Sequence, residues 1–135
     1  MIDFYLFLPK ELEEKINKNP LSIEAFEKIL NSCEVTFSCH AKAYVIHSNT
    51  AESKVNIDIG LNQNQQEQQI GLVHEVTHCV YGAASWSILD LNEEQKKVSD
   101  SIELLIENEA QRFYQENKDF INATYEKLLT QNKAK

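Results

Sequence analysis

Hydrophobic residues recur along this chain with two different periods, and the change from one period to the other predicts where helices and strands lie. Between residues 23 and 30, Ile23, Phe26, Ile29 and Leu30 follow the spacing of one helix face, and Ser22 is placed to cap that helix. Similar patterns predict further helices over residues 9–17, 62–81, 92–116 and 119–131, with Gly82 ending the 62–81 helix. The chain is therefore expected to be rich in helices.

A period of two, in which apolar and polar residues alternate, predicts the strands. Val35 and Phe37 alternate with polar neighbours, and Val55, Ile57 and Ile59 do the same before Gly60. Three strands are expected over residues 34–39, 44–47 and 55–59. We expect one α+β domain over residues 1–135, in which helices pack on one face of a small antiparallel sheet of about three strands.

The predicted 62–81 helix contains the motif His74-Glu75-Val76-Thr77-His78, which has the form H-E-x-x-H. Residues four apart lie one turn above each other on a helix, so the two imidazoles can converge on one ion. Zinc binds neutral imidazole nitrogens, and catalytic zinc sites usually have three protein ligands and a water. Glu75 lies beside the pair and can reach such a water as general base.

The rest of this helix agrees with a metal site. At about 100° per residue, the apolar side chains cluster in one arc, while His74 and His78 fall outside it at roughly 40° and 80° from Ile70. The alternative is a solvent-exposed histidine pair that arose by coincidence. The glutamate inside the motif and the amphipathic sorting favour the metal site.

A third ligand is expected from the later helix, where Glu103, Glu107 and Glu109 are the candidates. Glu107 lies at the edge of that helix's apolar arc, Glu103 lies near the same edge, and Glu109 falls inside the arc. For Glu103 alone, a solvated acid is the favoured interpretation. Helix geometry does not choose between Glu107 and Glu109.

Composition limits the other functions. The net charge of −8 disfavours nucleic acid as a partner, since phosphate binding needs clustered basic residues. The three cysteines are odd in number and form no CxxC pair, which favours reduced thiols over disulfides or a cysteine-based zinc site. No targeting segment or membrane span is evident, so a cytoplasmic location is expected.

Together these residues resemble the ImmA/IrrE group of gluzincin-type metallopeptidases, and this resemblance implies that the domain is a minimal zincin-like catalytic core. The likeness covers Ile57 to Leu61, Ile70 to His78, and the run Glu107-x-Glu109-Ala110-x-Arg112-Phe113. The resemblance implies that His74 and His78 bind zinc, that Glu75 is the general base, and that Glu107 is the third ligand. The residue four positions later, usually Asn or Asp in that group, would support the site; this chain has Gln111 there.

The expected function is therefore that of a zinc-dependent metallopeptidase, a hydrolase that acts on a protein or peptide substrate such as a regulatory protein. Its oxyanion-stabilising group remains open among four side chains, namely His40, His47, Tyr81 and Tyr114. An extended substrate could pair with an edge strand such as residues 34–39. One alternative is a zinc-binding module without peptidase activity, and another is a helical interaction module without metal.

Overall fold

The computed structural model describes residues 6–39, 44–46, 55–84 and 90–133. Most of the residues in this part of the chain are helical. The elements are α1 (Pro9–Lys18), α2 (Ile23–Asn31), β1 (Cys33–Ser38), β2 (Tyr44–Ile46), β3 (Val55–Gly60), α3 (Gln65–Tyr81), α4 (Glu93–Glu116) and α5 (Lys118–Lys133).

Side-chain caps define where several helices begin. The Ser22 hydroxyl accepts a hydrogen bond from the Ala25 amide, as predicted for the start of α2. Asn64 caps α3 by accepting from the Glu67 amide at 2.8 Å, so α3 begins slightly later than the sequence pattern suggested. Asn92 caps α4 in the same way, at the predicted position.

The sheet differs from the prediction. Strand β3 is central, in the order β1-β3-β2, and β1 runs parallel to it, with Cys33 opposite Val55 and Ser38 opposite Gly60. Only the short β2 is antiparallel to β3. The expected antiparallel sheet is therefore wrong: the described residues are mainly helical and the sheet is built around a parallel strand pair, so the α+β class fits only loosely. Residues 39–54 separate β1 from β3, which is enough chain for a parallel crossover.

The main core lies between the sheet and α3. Ile57 and Ile59 of β3 and Leu72, Val73 and Val76 of α3 are fully buried there. Helices α2 and α4 close this core through Phe26 and Phe113, whose rings stack with centroids 5.3 Å apart. Helix α3 is thus held on several sides, which fixes the direction in which its remaining face points.

A second buried cluster joins α1, the end of α3 and α4. It comprises Leu12, Ile16, Tyr81, Ala83, Ile102 and Ile106. Because this cluster lies beside the C-terminal turn of α3, it fixes the position of that turn against α4. No helix within the four described segments has the length and hydropathy needed to cross a membrane.

Candidate metal centre

His74 and His78 lie one turn apart on α3, and both rings face α4. Their ring centroids are 4.9 Å apart. The His78 side chain is 7% exposed and that of His74 17%, so the pair forms the floor of a partly open site. The motif that the sequence singled out therefore lies at the α3–α4 interface, away from the apolar face of α3.

Glu103 of α4 meets both histidines. Its Oε2 atom lies 3.1 Å from His74 Nε2 and 3.2 Å from His78 Nε2. One ligand atom from each of these three residues lies within 4.8 Å of the other two. Among the described residues, these three side chains form the group that could hold a metal ion.

The separations fit zinc. Two ligand atoms bound to one tetrahedral zinc at about 2.0–2.1 Å lie roughly 3.3–3.4 Å apart. The two distances from Glu103 Oε2, 3.1 and 3.2 Å, are close to that value. Two imidazoles and a carboxylate are also a donor set that catalytic zinc sites use. The residues at this centre could therefore hold a metal ion, and their donor atoms are of a kind that zinc accepts.

The other nitrogen of each ring has its own acceptor. His74 Nδ1 lies 2.6 Å from Glu107 Oε2, and the Gln111 amide donates to Glu107 Oε1 at 3.0 Å. His78 Nδ1 lies 2.9 Å from the Ala83 carbonyl oxygen, which can only accept, so Nδ1 carries the proton. With Nδ1 donating outward, the Nε2 atom of each ring faces the centre, the arrangement that metal-binding histidines use.

The electrostatics of the centre reflect its two carboxylates. Burial lowers the pKa of His74, but Glu103 and Glu107 outweigh burial and raise this pKa to about 10. Burial raises the pKa of Glu103, but its bonds to His74 and His78 hold the pKa below its ordinary value. The bond from His74 likewise lowers the pKa of Glu107. The site favours positive charge between these groups.

Glu75 lies beside the histidine pair and is 9% exposed. Its burial raises the pKa to about 7, against the opposing effect of His78 and His74. A carboxylate with a pKa near neutrality can both accept and return a proton at physiological pH. Glu75 is thus a buried carboxylate with a raised pKa next to the two histidines.

Glu109 lies on the same helix but is used differently. It accepts from the Leu21 amide at 2.6 Å and from two Arg112 nitrogens at 2.7 and 2.8 Å. Tyr81 also points its hydroxyl toward Glu109, and donates to the Asn19 carbonyl at 2.6 Å. Both side chains therefore serve a polar network that ties α1, α3 and α4 together.

The geometry favours Glu103 over Glu107, the residue that the resemblance selects, as third ligand. The sequence pattern favours a solvated acid at Glu103, whereas in the structure this side chain contacts both histidines. A usable signal was present: Glu103 and Glu107 are four residues apart, the same spacing as His74 and His78, so two one-turn pairs can face each other.

The remaining oxyanion candidates stay unassigned. His40 and His47 lie outside the described residues. Tyr114 is buried in the main core, and the Tyr81 hydroxyl is committed to the network around Glu109.

Comparisons with protein-family models, with curated proteins and with solved structures give no significant match for this chain. Functional inference therefore depends on the residues of the centre itself.

Proposed function

We propose that this protein is a zinc-dependent metallopeptidase that acts on a protein or peptide substrate. The observation that carries the proposal is the convergence of His74, His78 and Glu103, with one ligand atom from each within 4.8 Å of the other two, beside the buried carboxylate Glu75. The motif supports it, since H-E-x-x-H on one helix is the pattern in which zinc peptidases combine two ligands with a base. The resemblance to the ImmA/IrrE group points the same way.

In this proposal the two α4 glutamates divide the work. Glu103 completes the ligand set, because one of its oxygens lies close to both Nε2 atoms. Glu107 orients the His74 ring and keeps the proton on Nδ1, and Gln111 in turn holds Glu107. Glu103 thus takes the ligand role that the resemblance gives to Glu107, and Glu107 takes the supporting role that it gives to Gln111. Both roles lie one turn closer to the start of α4 than the resemblance implies.

A zinc ion held by His74, His78 and Glu103 would supply a Lewis acid and a bound water with a pKa of about 7. Glu75 accepts a proton from the attacking water on its carboxylate and delivers it to the leaving amine nitrogen. Its pKa of about 7 suits both transfers at neutral pH. His74 and His78 would bind the ion through Nε2, which displaces any proton there, while Nδ1 of each ring is hydrogen-bonded to Glu107 and to the Ala83 carbonyl.

An extended substrate segment suits the sheet. Strand β1 pairs with β3 on one side only, so within the described chain it forms an edge of the sheet. A cleft of about 950 Å³ opens beside Glu34 and Val35 of β1, between α2 and α5. An exposed edge can accept another strand by main-chain hydrogen bonding. We place the protein in the cytoplasm, in keeping with the absence of a disulfide at Cys33, Cys39 and Cys79, all of which lie in the described part of the chain.

The test compares the wild-type protein with Glu75→Gln, using zinc content and cleavage of fluorescent casein and of a mixed peptide library. Wild type should bind about one zinc per chain and cleave, and chelation should abolish cleavage. Glu75→Gln should keep zinc but lose at least about 100-fold in rate, the usual contribution of a general base. The matched control is Glu14→Gln, an exposed glutamate on α1, which should behave as wild type.

Two outcomes would contradict the proposal. Cleavage by Glu75→Gln at the wild-type rate would remove the catalytic role of that residue. Zinc bound to wild type without cleavage of casein or of any library peptide would favour the non-enzymatic zinc-binding module instead.

A further inference from the structure

The turn that ends α3 is formed at Gly82, four residues after His78. Gly82 has φ 64° and ψ 31°, in the left-handed region, and no other described residue has a positive φ in that range. Its conformation reverses the chain so that the Ala83 amide donates to the His78 carbonyl at 3.0 Å. Many helices end with a glycine in this conformation, but here the residue that follows the glycine, Ala83, returns to His78.

The same turn returns a second hydrogen bond to the same residue. His78 Nδ1 donates to the Ala83 carbonyl at 2.9 Å, while the Ala83 amide donates to the His78 carbonyl. His78 and Ala83 are thus joined by a reciprocal pair, one bond through backbone and one through the ring. The acceptor that fixes the His78 ring is therefore delivered by the conformation of Gly82.

Neighbouring groups keep this turn in place. The Lys15 ammonium donates to the Tyr81 carbonyl at 2.8 Å, and the Tyr81 hydroxyl donates to the Asn19 carbonyl at 2.6 Å. Ala83 is buried in the cluster between α1, α3 and α4. The Ala83 carbonyl is consequently a preformed acceptor with little freedom to move.

We propose that Gly82 is a positioning residue of the metal centre, acting on His78 through the Ala83 carbonyl. This inference rests on the proposed function, since it concerns the same zinc site. A residue with a Cβ atom disfavours the left-handed conformation, whereas asparagine tolerates it. Substitution by alanine should therefore turn the Ala83 carbonyl away and free the His78 ring, while asparagine should preserve both.

The experiment measures zinc affinity by competition with a chromophoric chelator for wild type, Gly82→Ala and Gly82→Asn. Loss of an outer hydrogen-bond partner of a metal ligand typically lowers affinity about 10–100-fold, and we expect this for Gly82→Ala. Gly82→Asn should stay within about threefold of wild type, because asparagine is the usual substitute for glycine at this helix position. The control Ser22→Ala removes the cap of α2, remote from His78, and should lower thermal stability without changing zinc affinity.

A second readout uses the wild-type protein and so does not depend on a variant that folds. In the zinc-loaded protein, long-range ¹H–¹⁵N correlation should show His78 protonated at Nδ1 and bound to zinc through Nε2. Binding through Nδ1, or wild-type affinity in Gly82→Ala, would overturn this inference alone. A wild-type protein that binds no zinc would overturn the proposed function together with it.

Discussion

Three glutamates on α4 lie within two helical turns of one another, but their side chains contact different groups. The histidine-facing pair, Glu103 and Glu107, meets the imidazoles of His74 and His78. The arginine-paired glutamate, Glu109, meets a guanidinium and a backbone amide. All three carboxylates are acidic groups in a partly buried interface, but only one set is balanced by a permanent positive charge.

This difference indicates which carboxylates are structural. Arg112 is charged at every ordinary pH, so Glu109 is compensated by the chain itself. An imidazole is neutral above a pH of about 6.5 unless its surroundings hold a proton on it. Glu103 and Glu107 hold a proton on His74 by raising its pKa to about 10, and a metal ion can replace that proton, whereas Glu109 already has a fixed cationic partner. Predictions that separate the two sets follow from this contrast.

The largest effect is expected for Glu103→Gln. This change removes a charged ligand from the centre. We expect zinc affinity to fall by at least about 100-fold, because loss of a group that only hydrogen-bonds to a ligand already lowers affinity by about 10–100-fold. Chelator competition measures it directly. Glu94→Gln, an exposed position on the same helix, is the matched control and should keep wild-type affinity. Unchanged affinity in Glu103→Gln would remove it from the ligand set.

Glu109→Gln should act on stability instead. Breaking a buried ion pair costs about 3–5 kcal/mol, and partial exposure of Arg112 reduces this to about 2–3 kcal/mol. Thermal unfolding in the presence of chelator should show Tm lowered by roughly 6–12 °C. Zinc affinity of the folded variant should stay within a few-fold of wild type. A large loss of affinity with no change in Tm would reverse the roles of the two sets.

Glu107→Gln tests the division of work within the histidine-facing pair. A residue that orients His74 without binding the ion should lower zinc affinity by about 10–100-fold, less than Glu103→Gln does. The same competition assay, run on both variants side by side, ranks them. A greater loss for Glu107→Gln than for Glu103→Gln would make Glu107 the third ligand.

The smallest effect is a pH dependence at Glu109. Burial raises its pKa, but the bonds from Arg112 and the Leu21 amide outweigh burial and lower it. A carboxyl whose folded-state pKa is lowered contributes stability above its unfolded value, about 4.3, and loses it as the pH falls through the folded value. The stability gap between wild type and Glu109→Gln should therefore narrow below about pH 4. Urea unfolding at pH 7 and pH 3 measures it, and a gap that widens in acid would contradict the pairing.

The sequence predicted the local features of this molecule well, because they depend on neighbouring residues. The apolar spacing around His74 and His78 predicted α3, and Gly82 marked its end at the right place. Strand direction was beyond reach for a physical reason. Val35 and Phe37 in β1 alternate with polar residues in the same way whether β3 runs parallel or antiparallel.

The candidate site was predictable on α3 but not on α4. The angular position of Glu103 on its own helix says little, because the crossing of α3 over α4 decides which residues meet the histidines. Glu109 falls inside the apolar arc because its charge is neutralised by Arg112, a contact that a single-helix pattern does not contain. Pairwise spacing across two helices carries information that each helix lacks alone.

The most direct measurement is a crystal structure of the zinc-loaded protein with anomalous diffraction recorded at the zinc edge. We expect one strong peak, about 2.0–2.2 Å from His74 Nε2, His78 Nε2 and a Glu103 oxygen, with Glu107 bonded to His74 Nδ1 outside the ligand set. A peak elsewhere, or a peak that lies beyond bonding distance of either Nε2 atom, would contradict the central claim.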